Sequence, residues 1–217
     1  GYYYTRIDGK EWIMNNLYES ETGNGESART AGIGLWDYDG MSGVFGRYYN
    51  YEDAKAVCAS LPAGNGNQWR LPSDEDWVDM VKFIAMNNDK ASSYLSTLPA
   101  NSNVIWDTEA FGRPTIASML MADADFNYLR LWEYWPGPGQ ITNTSGLSMI
   151  PVGYANITAE EFYGVYDYAA FWTATEDSED TDMAYYRFIY TKDPHFMIAR
   201  GNKETFGAAV RCVRESL

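Results

Sequence analysis

The sequence predicts a single α+β domain over residues 1–217, in which two helices pack on a twisted antiparallel sheet and long loops join the elements. Three observations favour this class. Two segments in the first half have capped, amphipathic helix patterns, and the last quarter alternates as strands do. No internal repeat or linker divides the chain.

The N-terminal elements are predicted to be short and extended. The segment "YYYTRIDGKEWIMNNL" (2–17) predicts two strands joined by a turn at Asp8-Gly9. The Gly-rich segment "ETGNGESARTAGIG" (21–34) predicts a loop. We expect "GVFGRYY" (43–49) to form a short strand.

Two helices are predicted next. The segment "NYEDAKAVCASL" (50–61) has Asn50 as its capping residue and places Cys58 on the apolar face. The segment "WRLPSDEDWVDMVKFIAMN" (69–87) has Ser73 as a good N-cap, followed by three acids. These acids favour a helix start, because the helix dipole stabilises anions there. A catalytic or metal cluster is the alternative.

The second half predicts an irregular region followed by strands. Residues 88–165 lack a clear period, although "PTIASMLMAD" (114–123) predicts a helix. Long irregular connections in compact domains are often functional loops. The predicted C-terminal strands are "AAFWTAT" (169–175), "MAYYRFIY" (183–190), "HFMIAR" (195–200) and "GAAVRCVRE" (207–215).

Composition narrows the class of partner. The formal net charge is −14 and no Lys or Arg cluster is present, so nucleic acid is excluded. No apolar run approaches the roughly 18 residues of a spanning helix, so we expect no membrane insertion. The aromatic content of 16% is typical of binding surfaces and secreted domains.

No catalytic or cofactor motif is evident. The chain has one histidine, His195, and it lacks a nucleophile elbow, a P-loop, a dinucleotide motif and a zinc pattern. The sequence therefore predicts a protein without catalytic activity and without a cofactor, with calcium as the one ion to consider.

An acidic run between two predicted strands, "EDSEDTD" (176–182), has two interpretations. We favour a solvated hairpin loop, whose charges keep the end of the sheet soluble. Alternatively, Asp177, Asp180 and Asp182 supply carboxylates to calcium, although the EF-hand spacing is missing. The same aspartates and Glu179 are candidate ligand contacts.

Further candidate contacts are aromatic or lie in C-terminal turns. Trp132, Tyr134 and Trp135 in "LWEYWPGPG" either fill the core or form an exposed platform for a sugar or peptide. The turn residues are Asp193, His195 and Lys203. The two cysteines, Cys58 and Cys212, are either buried thiols or a bridge that closes nearly the whole domain.

The chain resembles the Fibrobacter succinogenes major paralogous domain, a family of bacterial secreted and surface proteins. Seven segments occur in the family's order, and together they cover Ile7 to Glu215. They are "IDGKEWIMNNL", "GRYYNYEDAKAVC", "WRLPSDEDW", "SGLSMIPVGY", "FYGVYDYAAFWTATE", "AYYRFIY" and "AVRCVRE".

This family is similar to the C-type-lectin-like fold, which formylglycine-generating enzymes and retroelement-diversified receptors also use. The resemblance implies a bridge from Cys58 on the first helix to Cys212 on the last strand, and hence an extracytoplasmic location. It also implies that residues 177–182 and 193–205 lie on or near the ligand-binding face.

The resemblance predicts a ligand-binding or adhesion module of a bacterial surface protein, within a larger surface protein, with a glycan or protein as ligand. The calcium-lectin triplets Glu-Pro-Asn, Gln-Pro-Asp and Trp-Asn-Asp are absent, and "IWDT" (105–108) is only a weak echo of the last. Two alternatives stay open: an oxidative enzyme of the formylglycine-generating class, and a structural module of a surface or pilus assembly.

Overall fold

The computed structural model describes residues 1–19, 42–85, 116–126, 128–133 and 141–217. The helices in these ranges are α1 (Ser42–Phe45), α2 (Tyr51–Ser60), α3 (Asp74–Ile84) and α4 (Ile116–Leu120). The strands are β1 (Tyr4–Ile7), β2 (Lys10–Ile13), β3 (Asp125–Phe126), β4 (Leu129–Arg130), β5 (Tyr154–Asn156), β6 (Glu161–Tyr163), β7 (Tyr168–Glu176), β8 (Met183–Tyr190), β9 (Met197–Asn202), β10 (Phe206–Gly207) and β11 (Val213–Glu215). The chain is therefore α+β with two main helices, α2 and α3.

The strands form several small antiparallel sheets instead of the one larger sheet that we predicted. The observed orders are β1-β2-β11, β10-β5-β6, β3-β4 and β7-β8-β9. The hairpin β1–β2 turns at Asp8 and Gly9, both at positive φ, which confirms the predicted turn. The sheet β1-β2-β11 brings the two ends of the chain together.

The sheet β7-β8-β9 has two different faces, as the alternation in the sequence predicted. Arg187 and Ile189 on β8 are fully buried, whereas Tyr186 and Phe188 between and beside them are half-buried. Successive side chains of a strand point to opposite faces, so one face of β8 packs on the core. The other face carries aromatic rings, among which Tyr168 and Tyr190 stack with centroids 4.6 Å apart.

Both main helices begin where the sequence predicted. The side chain of Asn50 accepts a hydrogen bond from the backbone N of Asp53 at 2.9 Å, which caps α2. Ser73 and Asp76 form a reciprocal capping box at the start of α3. The carboxylate of Asp74 is buried and accepts a 2.6 Å hydrogen bond from Arg187. Two of the three acids of this turn, Asp74 and Asp76, therefore have structural partners.

The predicted bridge is present. Cys58 on α2 and Cys212, which precedes β11, form a disulfide with a Cα–Cα distance of 5.6 Å. Disulfides persist in oxidising compartments, so the bridge indicates an extracytoplasmic location. Within the described ranges, no helix has the length and apolar character that crossing a membrane requires.

Two predicted strands are wrong. The segment 43–49 contains α1 and joins a strand partner only through the single bridge Tyr49–Ala208. The segment 207–215 is not one continuous strand. Its backbone bonds a different part of the chain at successive positions, namely Tyr49 at Ala208, Leu17 at Val210 and Ile13 at Cys212. The predicted loop 21–34 lies outside the described residues.

Candidate functional site

The sheet β7-β8-β9 separates the predicted contact residues into two groups. The acidic segment 177–182 precedes β8, and the turn at 191–196 follows it. A strand of eight residues at about 3.4 Å per residue places these two ends roughly 25 Å apart. The predicted contacts therefore cannot all belong to one small site.

At the acidic end, ion pairs occupy part of the candidate set. Asp177 is buried and accepts a hydrogen bond from Arg200, and this bond holds the pKa of the Asp177 carboxyl below its usual value. Lys203 donates to Glu176 at 3.0 Å, which likewise lowers the pKa of that carboxyl. Asp177 is therefore buried and paired, whereas our preferred interpretation placed it in a solvated loop.

The other residues of the acidic loop are exposed, and a hydrogen bond within the loop stabilises its turn. Glu179, Asp180 and Asp182 are exposed, and Asp180 accepts a hydrogen bond from the backbone N of Asp182 at 3.1 Å. In the part of the chain that the structure describes, no three acidic, histidine or cysteine side chains are grouped so that they could hold a metal ion.

The aromatic candidates also divide. Trp132 is fully buried and its indole N–H donates to the backbone oxygen of Met149 at 2.8 Å. Of the two interpretations of this ring, the exposed platform is therefore wrong and the core position is correct. Tyr134 and Trp135 lie outside the described residues.

The single histidine, His195, forms hydrogen bonds within its own turn. Its Nδ1 lies 2.6 Å from Oδ1 of Asp193, and the same oxygen accepts from the backbone N of His195 at 2.9 Å. The neighbouring Pro194 accepts from the backbone N of Ala117 at 3.1 Å, which ties the turn to α4. Asp193 and His195 therefore fix the position of the 191–196 turn.

A pocket of about 400 Å³ lies beside this turn, and we name it the loop pocket. Its lining residues are Leu129, Arg130, Leu131, Glu133, Tyr166, Asp167, Thr191 and Lys192. The hydroxyl of Thr191 donates to the backbone oxygen of Glu133 at 2.9 Å, so Glu133 and the 191–196 turn are in contact at this pocket. The volume falls in the range of small-ligand sites.

Two tyrosines, Tyr166 in the lining of the loop pocket and Tyr128 in the β3–β4 turn, have an uncommon backbone conformation. Tyr128, in the β3–β4 turn, has φ of 66° and is fully exposed. Tyr166, which lines the pocket, has φ of 69° and is 41% exposed. A bulky residue at positive φ is costly, and such residues cluster at functional sites. Glycine or asparagine would suit both positions better, so the two tyrosines are candidates for ligand contact.

The charges around the loop pocket are mixed. Arg130 pairs with Asp123 at 2.7 Å. Glu133, Asp167 and Lys192 are exposed, and none has an ion-pair partner among the described residues. The pocket can therefore donate and accept hydrogen bonds while Leu129 and the tyrosine rings supply apolar contact.

Our sequence interpretation did not single out Tyr128, Leu129, Tyr166 or Lys192. Tyr166 follows Gly164 in a polar, turn-forming context, which is the only signal that the sequence offered. Its positive φ and its position beside Lys192 depend on long-range packing.

Comparison with known proteins assigns the family. No curated protein and no solved structure has a significant match to the chain. The family profile described as the Fibrobacter succinogenes major domain matches residues 5–214. Because this match covers nearly the whole chain, the protein belongs to the Fibrobacter succinogenes major domain family.

Proposed function

We propose that this domain is a ligand-binding or adhesion module of a bacterial surface protein, and that its glycan or protein ligand contacts the loop pocket. The observation that carries the proposal is Tyr166, an exposed tyrosine at positive φ that lines that pocket. Tyr128, also exposed and at positive φ, precedes the lining residue Leu129 in the β3–β4 turn. Tyrosine gives a large rigid contact surface with a polar edge at a low entropy cost.

We also propose that the fold is C-type-lectin-like. Support comes from the order of the described elements, in which the two main helices α2 and α3 precede the sheet β7-β8-β9. The disulfide from α2 to the residue before β11 occupies the position that this fold uses for its long bridge.

An oxidative enzyme is the second candidate, and the cysteines weigh against its thiol-dependent version. The sequence has two cysteines, and both are joined in the bridge. Titration of the native protein with a thiol reagent is expected to find no free thiol. Two reactive thiols would favour the enzyme and contradict the proposed module.

A structural module of a surface assembly is the third candidate. It would need a dry contact face of roughly 1,000 Å² or more between the domain and its neighbour. The mixed charges of the loop pocket favour a ligand site over such a face. A stable stoichiometric assembly formed with neighbouring domains, with no ligand bound, would reverse that preference.

A glycan array probed twice tests the proposed function, once with calcium and once with a chelator. We expect binding under both conditions, because the loop pocket offers rings and hydrogen-bonding groups and needs no ion. Binding lost with the chelator would place the ligand at a cation-dependent site. If no glycan binds, the next experiment tests whether the domain captures protein ligands. Absence of binding in both experiments would contradict the proposal.

A further inference from the structure

Arg211 is a buried cation held by uncharged groups. It precedes the disulfide cysteine and is 1% exposed. Its Nε donates to Oδ1 of Asn16 at 2.7 Å, and its Nη1 donates to the backbone oxygens of Met14 at 2.6 Å and of Leu147. Its Nη2 has one weak acceptor, the backbone oxygen of Ser148 at 3.3 Å.

This charge lacks a counterion. No carboxylate in the described ranges pairs with Arg211, and Nη2 carries two hydrogens but meets a single acceptor. Burial lowers the pKa of Arg211 to about 9, so the group stays protonated at neutral pH. The charge is balanced by dipoles and by the ring of Phe171, whose centroid lies 5.5 Å from the guanidinium carbon. A buried charge without a counterion is costly, and an anion that reaches it gains a strong interaction because the dielectric is low.

A cavity borders this buried residue. Arg211 lines a pocket of about 330 Å³, here the Arg211 pocket, together with Asn15, Asp125 and Phe126. The hairpin β3–β4 contributes to both this pocket and the loop pocket. The volume suits one small ligand residue. Asn15 accepts from the backbone N of Tyr3 at 3.1 Å, and its amide N–H groups have no hydrogen-bond acceptor within the described part of the chain.

One carboxylate opposes an anion here. Asp123 is paired with Arg130, whereas Asp125 is exposed and has no ion-pair partner within the described ranges. Carboxylates and amides also bind sugar hydroxyls, since they accept or donate in fixed directions. The pocket therefore combines a cation at its wall with groups suited to hydroxyls and an aromatic ring.

We propose that the Arg211 pocket binds a sugar residue that bears a carboxylate, with the carboxylate at the guanidinium of Arg211 and hydroxyls at Asn15 and Asp125. The inference rests on the proposed function, since it names the ligand class for a glycan-binding module. It predicts that the domain binds acidic glycans more tightly than neutral ones.

An NMR titration of the isotope-labelled domain tests this site. The probes are D-glucuronate, its methyl ester and D-glucose. We expect glucuronate to shift the backbone amides of Met14–Asn16 and Ser148, while the two uncharged sugars shift them far less. Equal shifts with all three sugars, or no shift at these amides with glucuronate, would overturn the inference.

A matched pair of variants keeps the test independent of folding. Asp125→Asn removes the opposing charge and should tighten glucuronate binding by about two- to threefold. Asp180→Asn, in the distant acidic loop, changes the net charge equally and should leave that affinity unaltered. Equal effects of the two variants would mean that only overall charge matters, which overturns the site.

The outcomes separate the two proposals. Shifts confined to residues 129–133 and 191–192 would place glucuronate in the loop pocket, which overturns the inference and leaves the proposed function standing. A short peptide with a free C-terminal carboxylate is the competing ligand. If it shifts the Met14–Asn16 amides at lower concentration than glucuronate does, the sugar assignment is wrong.

Discussion

At the scale of single residues, Tyr128 combines full exposure with a strained backbone. The left-handed conformation costs a residue other than glycine about 1–2 kcal/mol, and this ring recovers none of that by packing, because it is fully exposed. The strain is thus maintained without a stabilising contact, which is expected of a residue that serves binding.

We predict that Tyr128→Gly raises the free energy of unfolding by about 1 kcal/mol, because glycine adopts positive φ without a steric cost. Ligand binding should weaken in the same variant. Urea unfolding and a binding titration measure the two effects. Tyr128→Ala is the control, since it removes the ring and keeps the strain. Lower stability of Tyr128→Gly than of Tyr128→Ala would contradict the role assigned to the backbone.

Trp132 should behave in the opposite way. Trp132→Phe removes one of the two donors to the backbone oxygen of Met149, the other being the backbone N of Ala122, and creates a small cavity. We therefore expect the free energy of unfolding in urea to fall by about 2 kcal/mol. Ligand affinity of the folded fraction should stay close to that of the wild type. Unchanged stability with abolished binding would show that Trp132 meets the ligand directly.

At the scale of elements, the start of α3 is a pH-dependent anchor. Asp76 is largely buried, which by itself raises its pKa, but hydrogen bonds from Arg70 and from the backbone of Ser73 outweigh burial and lower it. The folded pKa is therefore below the unfolded one. The resulting stabilisation is complete well above the ordinary aspartate pKa of about 3.9, and it is lost as the pH falls through the folded pKa.

Asp76→Asn should consequently destabilise the protein at pH 7, with a difference from wild type that shrinks below about pH 4. Urea unfolding at pH 7, 4 and 3 measures this. Glu75→Gln removes an exposed acid from the same turn and is the control, with a much smaller effect. A difference that grows as the pH falls would contradict the assigned direction of the pKa.

The elements also mark the limit of what the sequence could predict. The starts of α2 and α3 followed from Asn50 and Ser73, because capping is a local interaction. The central strand β8 followed from the alternation of its residues. The segment 207–215 did not, because its residues bond several distant parts of the chain in turn, which no local pattern records.

The candidate site was less predictable than the fold. Acidic and aromatic residues were the visible candidates, but Asp177 is bound to Arg200 and Trp132 is buried. The sequence could not reveal either partner, since both contacts depend on tertiary packing. The loop pocket instead depends on Tyr166 and Lys192, which lie 26 positions apart (192 minus 166) and carry no motif.

At the scale of the whole molecule, the bridge Cys58–Cys212 spans 154 positions and closes most of the chain. In the loop-entropy account a closure of this length stabilises the folded state by about 5 kcal/mol. The bridge lies next to the sheet β1-β2-β11, because Cys212 directly precedes β11 and β11 pairs with β2.

Reduction should therefore lower the free energy of unfolding by up to about 5 kcal/mol. Urea unfolding with and without reductant measures this, and the double variant Cys58→Ala with Cys212→Ala, insensitive to reductant, is the control. Equal stability of the oxidised and reduced protein would show that the bridge does not stabilise the fold.

The most direct test of the central claim compares binding of one array-selected ligand by three proteins: wild type, Tyr128→Ala and Asp180→Asn. These variants alter one exposed side chain in the β3–β4 turn and one in the acidic loop that precedes β8. If the loop pocket is the binding site, Tyr128→Ala weakens binding about tenfold, as the loss of one well-placed ring does, and Asp180→Asn binds like the wild type. The reverse pattern would contradict the account and move the site to the acidic end.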